Sequence, residues 1–156
     1  MRHSVISPDG TTIAFTYKGD IYTVPVAGGR AMQITTNPAY DTAPVWSPDS
    51  KRIAFASDRM GSLDVYIVAK DGGEPRRLTT HSGSETPLAF TDAGHVLFSA
   101  GIMPSAEAVV FPSNGQFNQV YRVSVEGGRP TMISSMPMEC ISINKEGAML
   151  YQDKKG

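Results

Sequence analysis

One stretch of sequence is written three times along this chain and begun a fourth time. The copies open at Ile6-Ser7-Pro8-Asp9-Gly10, Trp46-Ser47-Pro48-Asp49-Ser50, Phe90-Thr91-Asp92-Ala93-Gly94 and Ile143-Asn144-Lys145-Glu146-Gly147. Three of them close on a double glycine, at Gly28-Gly29, Gly72-Gly73 and Gly127-Gly128, with Tyr22, Tyr66 and Tyr121 each six positions before the first glycine. The openings at 6, 46, 90 and 143 lie 40, 44 and 53 residues apart. A period near 40 residues marks units that cannot bury their own apolar face and must stack on a neighbour.

The second copy reads most clearly. Pro44-Val45-Trp46-Ser47 is a short apolar strand, and Pro48-Asp49-Ser50-Lys51 is a turn with proline preset for its second position. Arg52 to Ser57 alternates as a half-buried strand does, and Leu63 to Ala69 is rich in β-branched and aromatic residues. The double glycine turns the chain into Glu74–Thr79, a more polar last strand with Pro75 near its start. Four antiparallel strands grading from apolar to polar describe a β-propeller blade.

The predicted fold is therefore all-β, a partial β-propeller. Its blades span about 1–38, 39–83 and 84–136, and a partial fourth covers 137–156 with only its first hairpin, near 139–143 and 148–152. Predicted strands of the first unit lie near 3–7, 12–16, 20–26 and 30–35, and those of the third near 87–91, 95–99, 118–125 and 130–134. Three and a half blades do not close a ring, since propellers have at least about four blades. The chain is expected to be a segment of a longer, six-bladed parent and to self-associate through its open blade edges.

Composition narrows the function. Charged residues make up 19% of the chain and the formal net charge is −1, so no basic excess supports nucleic-acid binding. No apolar run approaches a membrane span. Met1-Arg2-His3-Ser4 lacks the apolar stretch of a signal peptide, which predicts a cytoplasmic protein or a start further upstream. The lone Cys140 excludes an internal disulfide.

The repeated pattern, Ser-Pro-Asp, then Ile13-Ala14-Phe15 or Ile53-Ala54-Phe55, then Gly-Gly, then Ile34-Thr35 or Leu78-Thr79, resembles the repeat of TolB-like and tricorn-like propellers. Tyr17 to Val26, Ala56-Ser57-Asp58-Arg59 and the insertion with Phe111-Pro112-Ser113 are most similar to the N-terminal propeller of tricorn-type S41 serine peptidases. That resemblance implies a non-catalytic scaffold and peptide gate, or a docking surface, whose partners are the remaining blades and catalytic domains of the parent, peptides or other proteins. It also implies a bacterial periplasmic or envelope setting. In such proteins the catalytic residues belong to later domains, so none carries over to this chain. A TolB-like envelope module with no peptidase attached is the alternative, and the propeller of a prolyl-oligopeptidase-type enzyme a weaker third.

Candidate chemistry is sparse. Ser142-Ile143-Asn144-Lys145 has the Ser-x-x-Lys spacing of some acyl enzymes, but that motif needs a helix and this copy falls in a strand and turn. His3, His81 and His95 are scattered without ligand spacing, and the Asp-Gly turns carry too few carboxylates for calcium, so neither metal nor cofactor is expected. Ile6, Trp46 and Phe90 occupy equivalent places and are expected to pack between blades. The loops joining second and third strands share a face with the links between blades. That face is expected to gather the insertion 100–117, with Phe111 and Phe117, beside Tyr40, Asp41, Glu85 and Glu139 at the channel mouth. Asp41 and Glu85 stand five residues before Trp46 and Phe90, whereas Glu139 is four before Ile143.

Overall fold

The computed structural model of the chain describes residues 2–81, 83–101, 118–135, 138–143 and 148–153. Blade 1 is β1 (Arg2–Ile6), β2 (Thr12–Tyr17), β3 (Asp20–Pro25) and β4 (Met32–Gln33). Blade 2 is β5 (Asp41–Trp46), β6 (Arg52–Ser57), β7 (Asp64–Ala69) and β8 (Arg76–Arg77). Blade 3 is β9 (Glu85–Asp92), β10 (His95–Gly101), β11 (Asn118–Ser124) and β12 (Thr131–Ser134), followed by the hairpin β13 (Met138–Ile143) and β14 (Met149–Asp153). Each four-stranded sheet is an antiparallel meander in chain order. The inner strands meet in succession, β1 on β5, β5 on β9 and β9 on β13, as blades around a shared axis do.

Turn chemistry sets these boundaries. Ser7 Oγ donates to Asp9 Oδ1 at 2.6 Å and accepts from Thr12 N, while Asp9 Oδ1 also accepts from Thr11 N. Ser47, Asp49, Lys51 and Arg52 repeat the same bonds. The three double glycines lie at φ between 85° and 127°, a region closed to most side chains, and return each third strand toward its fourth. The tyrosine before each double glycine stacks on a phenylalanine of the second strand: Phe15–Tyr22, Phe55–Tyr66 and Phe98–Tyr121, with centroids 5.7 to 5.9 Å apart.

The outer strands β4 and β8 are two residues each, shorter than the sequence predicts. Ile34 and Leu78 leave the ladder because their side chains turn into the seams between blades. Their amides still bond Ile21 O and Val65 O at 2.8 Å. Short, kinked edges also blunt the edge-pairing hazard.

Two apolar cores fill the seams. Ala14, Ile21 and Ile34 of blade 1 meet Trp46, Ile53, Phe55, Tyr66 and Val68 of blade 2. Ala54, Val65, Ile67 and Leu78 of blade 2 meet Phe90, Val96, Phe98 and Tyr121 of blade 3. Trp46 also donates from Nε1 to Val5 O at 3.2 Å, pinning blade 2 to blade 1. Trp46 and Phe90 thus pack between blades, but Ile6 is 58% exposed, because it lies on the face of blade 1 turned away from blade 2.

Candidate functional site

The starts of β5 and β9 lie on one face with the β2–β3 and β6–β7 connections, here called the upper face. Asp41 N donates to Gly19 O, and Glu85 N donates to Leu63 O, both at 2.7 Å. The first residue of each inner strand is therefore tied to the loop preceding the third strand of the previous blade. Asp41 pairs with Ser57, and Glu85 with Ala100, so the two carboxylates hold the same register position.

Both are 0% exposed, lying within the seams and not on a solvent-facing rim. Each faces a second aspartate at the start of a third strand, Asp20 in blade 1 and Asp64 in blade 2. Thr35 and Thr79 complete the repeat, their hydroxyls accepting from Ile21 N at 3.0 Å and Val65 N at 2.9 Å. Each seam thus contains two carboxylates, one threonine and one guanidinium.

The two seams compensate their charges differently. Arg59, from the β6–β7 connection, places Nη2 3.1 and 3.0 Å from the two oxygens of Asp41 and its Nε 2.8 Å from Ser57 Oγ. Its guanidinium also lies 4.6 Å from the centre of the Tyr66 ring, a cation–π contact in a nearly dry setting. Asp20 has no cation beside it, its Oδ2 accepting from the Gln33 amide at 3.1 Å and the Thr35 hydroxyl also favouring its charge. Burial raises its pKa, and the charge of Asp41 adds to the shift.

In the next seam, Arg77 takes the place of Gln33. Its Nη2 is 2.8 Å from Asp64 Oδ2, an ion pair by distance but off the donor axis, so Asp64 accepts no aligned hydrogen bond. Burial raises the pKa of Asp64, and Arg77 opposes that shift. Neither oxygen of Glu85 has an aligned partner among the described residues. Burial pushes its carboxyl up to about 7, against the pull of the Thr79 hydroxyl.

The remaining predicted positions fall elsewhere. Tyr40 is 42% exposed on the upper face, its amide held by Asp58 Oδ1 at 2.7 Å. In β13 the register partner of Asp153 is Met138, which makes Met138 the counterpart of Asp41 and Glu85. Glu139, opposite Gln152, instead matches Thr42, Thr86 and, in blade 1, Arg2. Phe111 and Phe117 lie outside the described residues, as does Lys145; Ser142 lies in β13. Among the described residues no group of three His, Cys, Asp or Glu side chains is arranged to hold a metal, and no helix is long and apolar enough to cross a membrane.

Asp20, Asp64, Arg77, Arg2 and Lys18 were not singled out from sequence. Asp20 and Asp64 stand two residues before Tyr22 and Tyr66, so aligning the repeats on those tyrosines exposes the pair.

An upper-face cleft of about 390 Å³ is lined by Arg2, Thr16, Tyr17, Lys18, Gly19 and Tyr40. The family model of the tricorn protease N-terminal β-propeller domain matches residues 1–156. The chain belongs to that family. It is 36% identical over 91 residues to tricorn protease homolog 1 of Streptomyces coelicolor, a match covering 58% of this chain and 8% of that protein. It is 32% identical over 108 residues to the uncharacterized peptidase YuxL of Bacillus subtilis, covering 62% of this chain and 16% of that protein. The crystal structure of TolB from Acinetobacter baumannii superposes with a TM-score of 0.70 at 19% identity, over 95% of this chain and 36% of that one. These matches span only a small part of each relative's length.

Proposed function

We propose that this tricorn-type propeller segment acts as a non-catalytic scaffold whose upper face docks peptides and the neighbouring domains of a tricorn-like serine peptidase. Membership of the tricorn N-terminal propeller family along the whole chain carries this reading. Tyr40, Asp41, Glu85 and Glu139 belong to the docking end, with Asp41 and Glu85 acting from inside the seams to fix the geometry beneath the cleft. Phe111 and Phe117, on the 16-residue β10–β11 connection, are assigned to the same surface, because loops of that length in compact domains are often functional or packed against a neighbouring domain.

The test is direct. The purified chain, incubated with a mixed peptide panel, is expected to bind members of the panel without cleaving them. Hydrolysis that survives removal of contaminating proteases, or binding to no peptide at all, would overturn the proposal.

A second reading is a TolB-like envelope interaction module with no peptidase attached, favoured by the superposition on TolB from A. baumannii. The coding sequence beyond Gly156 separates the two. A hydrolase domain there supports the first, and termination after the remaining blades supports the second.

A further inference from the structure

We propose that the cleft at the head of blade 1 recognises an acidic side chain of a bound peptide, its carboxylate held between Arg2 and Lys18 and its neighbouring residue laid on Tyr17 and Tyr40. This rests on the peptide-docking role proposed above and specifies the chemistry that the docking surface selects.

Four observations carry it. First, the residues that line the cleft include two cations and no carboxylate. Neither Arg2 nor Lys18 forms an ion pair among the described residues. Of the nearby carboxylates, Asp41 is paired with Arg59, while Asp58 and Asp20 accept from the Tyr40 and Gln33 amides and are not part of the cleft lining. Second, Lys18 is placed by unusual backbone. Lys18 (φ 52°) and Gly19 (φ 91°) form the two-residue turn between β2 and β3. Positive φ at both positions there favours Asn, Asp or Gly, so a lysine sits at a cost. Strain of that kind concentrates where a side chain is needed.

Arg2 stands beside a break in the β1–β2 register, with His3 at φ 49°, a bulge that blade 2 repeats beside Thr42 with Ala43 at φ 50°.

Third, the aromatic walls are fixed. A β-carbon on Gly19 would meet the Tyr40 ring at 3.7 Å, so the ring packs directly on the glycine. The Lys18 ammonium lies 5.6 Å from the centre of the Tyr17 ring. Charge next to aromatic surface suits a carboxylate flanked by an apolar residue, and two cations suit one such group better than a polyanion.

Fourth, the cleft is particular to blade 1. Its β2–β3 connection has two residues, where that of blade 2 has six. The blade 2 counterparts of Arg2 and Tyr17 are Thr42 and Ser57, which supply neither charge nor ring.

The experiment measures fluorescence anisotropy of labelled, end-blocked peptides on the full chain. One peptide carries Glu beside Phe, a second carries Gln for Glu, and a third carries Lys. A fourth, neutral in its side chains, has a free C-terminus. The acidic peptide is expected to bind best, with affinity falling about tenfold for Arg2→Gln and for Lys18→Asn and unchanged for the remote Lys51→Gln. Lys18→Asn suits the turn better than lysine, so a loss of binding with undiminished thermal stability isolates the charge from the fold. Equal binding of the acidic and glutamine peptides, an unchanged affinity in both cleft variants, or preference for the free C-terminus overturns this assignment and leaves peptide docking standing. Failure of every peptide to bind overturns both.

Discussion

Asp41 and Glu85 occupy the same register position on successive inner strands, yet Arg59 clasps Asp41 at 3.0 Å while both oxygens of Glu85 lack an aligned partner among the described residues. Equal positions in a repeat therefore carry unequal electrostatics. Asp41 is held in an ion pair, whereas burial of Glu85 favours its protonated form.

That difference makes Glu85 a source of pH dependence. Burial raises its carboxyl from 4.5 to about 7 on folding, so between those values the folded chain binds a proton that the unfolded chain has released. The stabilisation is complete below the lower value and is lost as pH rises through the upper one. The shift corresponds to on the order of 3 kcal/mol. Urea unfolding of Glu85→Gln, which keeps the shape without the charge, is expected to show a smaller fall in stability than the native chain between pH 5 and 8 (roughly the window over which a group so shifted titrates). Identical slopes for the two proteins would refute this.

Removing Arg59 should be costly for the opposite reason. Arg59→Met leaves Asp41 charged and buried, a defect worth about 3–5 kcal/mol. The double variant Arg59→Met with Asp41→Asn should recover much of that loss, since no uncompensated charge remains. Thermal or denaturant unfolding of the four proteins in the cycle gives the coupling energy. A coupling near zero would mean that the ion pair contributes nothing to the seam.

The outward faces of the terminal sheets should drive association. Ile6 on blade 1 is 58% exposed and Leu150 on β14 is 75% exposed, where the same structural layers elsewhere are covered by a neighbouring blade. Sedimentation velocity is expected to show concentration-dependent oligomers that weaken in Ile6→Ser. A monomer at all concentrations would contradict this.

What the sequence made legible was the chemistry local to each repeat. Double glycines, Ser-Pro-Asp turns and the tyrosine before each turn act within a few residues, so their spacing alone locates the blades. The electrostatics of the seams were not legible in the same way. Arg59 and Asp41 are 18 residues apart and Asp64 and Glu85 are 21 apart, and only the packing of one blade on the next shows which carboxylates are buried and which are paired. Glu139 shows a related limit. Its spacing from Ile143 differs by one residue from that of Asp41 and Glu85 from their aromatics, and in the β13–β14 register it stands one position along from theirs. Lys18 was hidden because a lysine in a tight turn reads as solvated charge until its neighbours in space are known.

Trp46 is the single tryptophan of the chain, and at 8% exposure it sits in the seam between blades 1 and 2 with its indole N–H on Val5 O. Its fluorescence therefore reports directly on whether one blade covers the next. Stacked blades predict a blue-shifted emission that acrylamide barely quenches. Emission like that of free tryptophan in water, with full quenching under native conditions, would contradict the stacked-blade architecture on which the proposed docking role depends.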